Sequence, residues 1–144
     1  MLYSNIVVAF DGSKAASKAL DKAVELVKLL PDTKLTVVHS YDFPRLYIAD
    51  GFVSAPVSVN QDYYELAEKT LEDAKSRLVE AGVKAEVVLL RGGAAEVILD
   101  YVKKNGSDLI VVGSRGLGGI REFVLGSVSH NIVQHATIPV LVVK

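Results

Sequence analysis

Between Gly113 and Ser129 the chain reads Gly-Ser-Arg-Gly-Leu-Gly-Gly-Ile-Arg-Glu-Phe-Val-Leu-Gly-Ser-Val-Ser, a glycine-rich connection that runs into a short segment with helical periodicity. Glycines let backbone N–H groups come close to an anion, and the first turn of a helix adds unpaired N–H donors and the positive end of its dipole. The chemistry this stretch could do is phosphate binding, with the Ser127 and Ser129 hydroxyls as further donors. The competing reading is that the glycines only permit a tight surface loop. Arg115 and Arg121 carry a similar pair of readings, as partners of phosphate oxygens or as solvated surface residues. A second polar cluster, Asp11-Gly12-Ser13, follows the first apolar run. A carboxylate there could accept hydrogen bonds from ribose hydroxyls, or it could simply oppose the dipole of the helix that follows.

Other phosphate motifs fail on spacing. Gly12-Ser13-Lys14 has the form of a P-loop tail, but Val7 stands where the first glycine of that motif is required, and Gly116-x-Gly118 is followed by Arg121 where the dinucleotide fingerprint needs glycine. Catalytic sets are no better supplied. The three imidazoles are His39, His130 and His135; the last two are a poor spacing for sharing one helical face as metal ligands, and all three read as structural or surface residues. Asp11 could hold Mg2+ or steer a water beside a triphosphate, yet no second carboxylate or base is placed next to it by sequence. The motifs therefore argue binding rather than turnover, and no catalytic residue is assigned. A phospho-acceptor receiver domain is argued against by Arg91-Gly92, which occupies the end of the third strand where an acceptor aspartate would stand.

The elements that must position these residues can be read from periodicity. Ile6–Phe10, Leu109–Val112 and Val140–Val143 are short, apolar and rich in Val and Ile, as strands buried on both faces are. Leu35–Ser40 adds another strand, and Val83–Leu90 alternates in polarity through Lys84 and Glu86, which suits an edge. Helices are predicted over Ser13–Leu30, Gln61–Ala81 (with Tyr64, Ala67, Leu71, Ala74 and Leu78 on one stripe), Ala94–Lys104 and Ser127–His135, with the last strand over Ile138–Val143. Alternation of strand and helix predicts a doubly wound α/β fold: an open parallel five-stranded sheet with helices on both faces, and strand order 3-2-1-4-5. In that order the first and fourth strands are neighbours, and the crevice between their carboxyl ends faces Asp11 toward the glycine loop. The connection Tyr41–Asn60 has no clear periodicity and reads as a lid or a surface loop.

At 144 residues, half of them apolar and 23% charged, the chain is expected to be one domain spanning residues 1–144. A net charge of −1 gives no attraction to nucleic acid or anionic membranes, and the absence of cysteine excludes disulfides, thiolate metal sites and cysteine nucleophiles. With no basic segment followed by an apolar core at the N-terminus, and no apolar run of about 18 residues, a soluble cytoplasmic protein is the expectation.

The spacing Gly113-x2-Gly116-x9-Gly126-Ser127 resembles the nucleotide-binding signature of the universal stress protein family, specifically its ATP-binding branch. The similarity extends over essentially the whole chain, through the Asp11 turn, the second strand with His39 near its end, the long variable connection and the closing Ile138-Pro139-Val140-Leu-Val-Val143 strand. The resemblance implies a Rossmann-like fold of the adenine nucleotide alpha hydrolase type. It implies that Asp11 contacts the ribose, that Ala9 and Phe10 shape the adenine side with Val38 packed nearby, and that Ser40 reads the adenine edge through its backbone. Gly113, Arg115, Gly116, Gly126, Ser127, Val128 and Ser129 would hold ribose and phosphates. Ser40 stands where many relatives carry a hydrophobic residue, but the contact implied there is from the main chain. The implied ligand is an adenine nucleotide, ATP or AMP, with Mg2+ as the cation such a ligand could bring. The implied function is regulation in the stress response, with a slow ATPase or self-phosphorylating protein as the alternative. The last strand is an apolar edge in the predicted order, which invites pairing with another chain; the resemblance implies a homodimer through Val140–Val143.

Overall fold

A computed structural model describes residues 2–43, 45–48, 51–116 and 125–144. The chain runs β1 (Asn5–Ala9), α1 (Lys14–Leu29), β2 (Lys34–Tyr41), β3 (Arg45–Ile48), β4 (Gly51–Ser54), α2 (Val57–Ala81), β5 (Glu86–Arg91), α3 (Ala94–Asn105), β6 (Leu109–Gly113), α4 (Ser127–His135) and β7 (Val140–Val143). The main sheet has the order β5-β2-β1-β6-β7 with every neighbouring pair parallel. Counting only its five strands, this is the predicted 3-2-1-4-5. β5 and β7 are its two edges.

Strand parity divides the core. Ile6, Val8, Leu35, Val37, Leu109 and Val111 face α1 and α2, where they meet Ala19, Leu20, Ala23, Ala74 and Leu78. Val7, Val38, Ile110 and Val112 face the other way, onto Ile98 and Val102 of α3 and Ile132 of α4. Because both faces are covered, the central strands carry no polar alternation. The helix starts are set locally: the Ser13 hydroxyl accepts from the Ala16 N–H at 3.1 Å and caps α1.

The structure departs from the sequence reading in four places. The Tyr41–Asn60 connection contains an antiparallel hairpin, β3 with β4, which forms a sheet of its own. α2 begins at Val57 rather than Gln61, directly after Pro56, and its first turns lie outside the core with Val57 exposed. Tyr64, expected on the buried stripe, is instead exposed and packs edge-on against Tyr41 with ring centroids 5.8 Å apart. The outer strands are shorter at their starts than expected. The Val83 N–H closes the end of α2 on the Leu78 carbonyl at 3.1 Å, so β5 begins only at Glu86. Pro139 has no N–H to give, so β7 begins at Val140 rather than Ile138.

Candidate functional site

A cavity of about 660 Å³ opens at the carboxyl ends of β1, β2 and β6, inside the roughly 300–1,000 Å³ range of small-molecule sites. Its first wall is the β1–α1 turn. Phe10 is tied to β2 at both of its peptide groups: its N–H donates to the Val38 carbonyl at 2.8 Å, and its carbonyl accepts from His39 Nδ1 at 2.8 Å. A carbonyl can only accept, so the His39 proton sits on Nδ1. Burial pushes the His39 imidazole below its usual range, against the opposing effects of the Phe10 hydrogen bond and the Asp11 charge, so the ring is neutral near pH 7. Asp11 follows this anchored residue, and its Oδ1 accepts from the Ser13 N–H at 2.9 Å. One oxygen of Asp11 is thus engaged at the start of α1, and the residue also lines the cavity.

The second wall is the β6–α4 connection, and here the glycines do different work. A Cβ on Gly113 would lie 2.7 Å from the Ala15 carbonyl carbon and oxygen, so this glycine lets α1 press onto the end of β6. A Cβ on Gly116 would lie 3.0 Å from Asp11 Oδ2, which puts the acid and the loop across the crevice from each other. A Cβ on Gly126 would lie 3.3 Å from the Arg115 Cα, so the two ends of the loop touch. Ser114 joins them: its carbonyl accepts from the Gly126 N–H at 2.7 Å, and its own N–H donates to the Val143 carbonyl of β7 at 2.9 Å. The Ser129 hydroxyl is buried and donates to the Gly113 carbonyl at 2.5 Å, so as a donor it is already committed. What Ser129 retains for a ligand is its backbone N–H. Gly126 stands as the N-cap of α4 with no side-chain cap, which leaves the first turn, Ser127 to Ser129, as the donor-rich end of a helix facing the cavity.

Ala9, Phe10, Asp11, Val38, Ser40, Gly113, Arg115, Gly116, Gly126, Ser127, Val128 and Ser129 all line this one cavity. Arg121, with Gly118 and Gly119, lies outside the described residues. The sequence reading passed over His39, which it took as structural or surface, and over Ala94 and Ile98 of α3, His130 and Asn131. A signal for the α3 contribution was present in the run of small residues Gly92-Gly93-Ala94-Ala95 at the start of α3, of which Ala94 lines the cavity. For His39 the signal was weaker, since it shares a strand face with Leu35 and Val37 and only its place beyond the covered part of β2 opens it to the cavity.

Among the described residues no group of three His, Cys, Asp or Glu side chains could hold a metal ion, and Asp11 is the one carboxylate lining the cavity. The arrangement offers an apolar floor of Ala9, Val38, Ile98 and Val112, an acceptor at Asp11 and clustered backbone donors at α4. That set can take a molecule with a flat apolar part, hydroxyls and an anionic end.

The sequence pattern of the Universal stress protein family matches residues 2–144. The chain is 37% identical to universal stress protein YxiE of Bacillus subtilis, covering 99% of this chain and 100% of that one. Among solved structures, a universal stress protein from Archaeoglobus fulgidus in complex with dAMP is 28% identical with a TM-score of 0.72, covering 100% of both chains. A universal stress protein family protein from Arabidopsis thaliana with AMP bound is 26% identical with a TM-score of 0.67, covering 98% of this chain and 91% of that one. A family match across nearly the full length, a relative above 30% identity and the shared strand order converge, and the chain belongs to the universal stress protein family.

Proposed function

We propose that this protein binds an adenine nucleotide, ATP or AMP, in the cavity at the carboxyl ends of β1, β2 and β6, and that occupancy regulates a partner in the stress response. The observation that carries the reading is the opposition of Asp11 and the glycine loop. The carboxylate stands 3.0 Å from where a Gly116 Cβ would be, with the uncapped start of α4 beside it. Sugar hydroxyls would be held on the acid side and phosphates on the donor side. The adenine would lie over Ala9 and Val38, with the Ser40 backbone at its edge. Solved relatives with AMP and dAMP bound support the choice of ligand. Mg2+ would arrive on the phosphates, since Asp11 is the one carboxylate among the described lining residues.

Binding is preferred to turnover because one oxygen of Asp11 already accepts from Ser13 and the Nδ1 proton of His39 is committed to Phe10. The slow ATPase alternative makes a distinct prediction, ADP appearing over time in the presence of Mg2+ and ATP. The protein is proposed to work in the cytoplasm as a homodimer joined through the free edge of β7, where Leu141 is exposed. No helix among the described residues is long and apolar enough to cross a membrane.

The test is to denature the purified protein, identify any released nucleotide by mass spectrometry, and titrate the refolded or ligand-free protein with ATP and AMP. Release or saturable binding of an adenine nucleotide is expected. Failure of both nucleotides to bind would overturn the proposal, and a monomeric mass by light scattering at micromolar concentration would overturn the dimer.

A further inference from the structure

α2 is seated on the core by Ala67, Ala74 and Leu78, which are buried, and its earlier turns carry a second apolar stripe. Consecutive helix residues are about 100° apart, so Leu66 turns away from the face that Ala67 gives to the core. With Val59 and Tyr63 it stands at the i, i+4, i+7 spacing by which one helix docks another. Val59 is half-buried, but Tyr63 is 45% exposed and Leu66 63%. The surroundings of this stripe are acidic: Asp62, Glu65 and Glu68 are exposed there against Lys69 alone. Glu72 and Asp73 further along are paired with Lys75 and Arg77, whereas Asp62 and Glu65 make no ion pair among the described residues. The helix dipole does not account for these acids, because its effect is confined to the first turn, which holds none. Next to Tyr63, Tyr64 packs on Tyr41 and Tyr41 on Phe43, over which the Arg91 guanidinium lies 4.4 Å from the ring centroid. A cation thus already rests on the aromatic group that continues from Tyr64.

We infer that the first turns of α2 are a docking surface for a basic amphipathic helix of a partner protein, its apolar residues lying on Val59, Tyr63 and Leu66 and its Lys or Arg side chains meeting Asp62 and Glu65. Charge decides among the occupants. A second copy of this chain would bring the same acids against Asp62 and Glu65, and an anionic lipid surface would be repelled in the same way. Opposite charge beside an apolar seam selects the partner, as flanking charges do between paired helices. The surface is separate from the nucleotide cavity, since none of the described residues lining that cavity belongs to α2. The inference therefore goes beyond the nucleotide reading and stands or falls without it.

The experiment uses two labelled model peptides, one with leucine on one helical face and lysine on the other, the second with glutamate in place of the lysine. Their dissociation constants for the full chain are read by fluorescence anisotropy. The lysine peptide should bind at least about tenfold more tightly than the glutamate peptide, and the difference should shrink as salt is raised. Leu66→Ser should weaken the lysine peptide by roughly tenfold, the lower range for losing one leucine from an apolar contact, while Val133→Ser at an exposed position of α4 should not. Asp62→Asn combined with Glu65→Gln should bring the two peptides within about threefold of each other. All these side chains are exposed, so the variants should melt with the wild type. Equal binding of the two peptides by the wild type, or binding of neither, would overturn the inference. An unchanged affinity of Leu66→Ser for the lysine peptide would also overturn it, since the attraction would then be charge alone. So would a lower mass of Leu66→Ser than of the wild type by light scattering without peptide, because a second copy would then be what covers the stripe.

Discussion

The two ends of the main sheet are built to opposite rules. At the amino end, polar groups are tied to one another. The Asp108 carboxylate accepts from the Ser4 N–H and hydroxyl, both at 2.8 Å, and from the Asn5 N–H at 3.0 Å. The Asn5 amide donates to the Asn105 carbonyl at 2.9 Å, and the Thr33 hydroxyl to the Tyr3 carbonyl at 2.5 Å. At the carboxyl end, by contrast, α3 and α4 start without side-chain caps. Each open donor or acceptor there forgoes a bond that would have stabilised the fold. What the difference teaches is that stability and binding are separated along the strand axis, so substitutions at one end should leave the property of the other untouched.

The largest effect should come from the exception to that division. Gly113 lines the cavity, yet the crowding around it comes from the Ala15 backbone of α1. Gly113→Val should cost about 3 kcal/mol of stability by overpacking, read as a lower urea midpoint, and would break the comparison if only ligand affinity changed. Ser127→Ala comes next. The Ser127 side chain is exposed at the start of α4, so its loss should weaken phosphate-bearing nucleotides by roughly tenfold, the lower range for a hydrogen bond to a charged group, with thermal stability unchanged. An unaltered affinity would reduce this hydroxyl to a solvated one. Asp108→Ala is the mirror case: about 1 kcal/mol of stability should go while nucleotide affinity stays within twofold.

Acid should separate the ends by smaller amounts. His39 is held below 6.5 by burial, so the unfolded chain takes up its proton first as pH falls. The His39 contribution to stability is complete above about pH 6.5 and is lost as pH drops through the folded value. For Asp108, burial raises the carboxyl, but the hydrogen bonds from Ser4 and Asn5 outweigh it and leave the group below 3.8. Its contribution persists above that value and is lost only in stronger acid. A stability profile against pH should thus show a first decline that sets in below pH 6.5 and that His39→Asn reduces, and a second that sets in below pH 3.8 and that Asp108→Ala reduces. A first decline of equal size in the His39→Asn protein would place its origin elsewhere.

What could be read beforehand followed burial. The Val- and Ile-rich runs of β1 and β6 and the apolar spacing of α1 express two covered faces, and they determine the order of the main sheet. The hairpin of β3 and β4 pairs outside that sheet, and the first turns of α2 lie off it, so neither leaves a core-facing period. Within the site, residue identity was legible but function was divided differently. The Ser129 hydroxyl turns inward to Gly113, and Gly113 answers to α1. Such assignments depend on which neighbour comes within 3 Å, and spacing along the chain carries no record of that.

Ser114 has a consequence for how firmly the cradle is held. Its carbonyl accepts from the Gly126 N–H while its own N–H donates to the Val143 carbonyl of β7. The start of α4 is therefore moored to the sheet through a single peptide, and the donors of its first turn inherit the stiffness of the strands behind them.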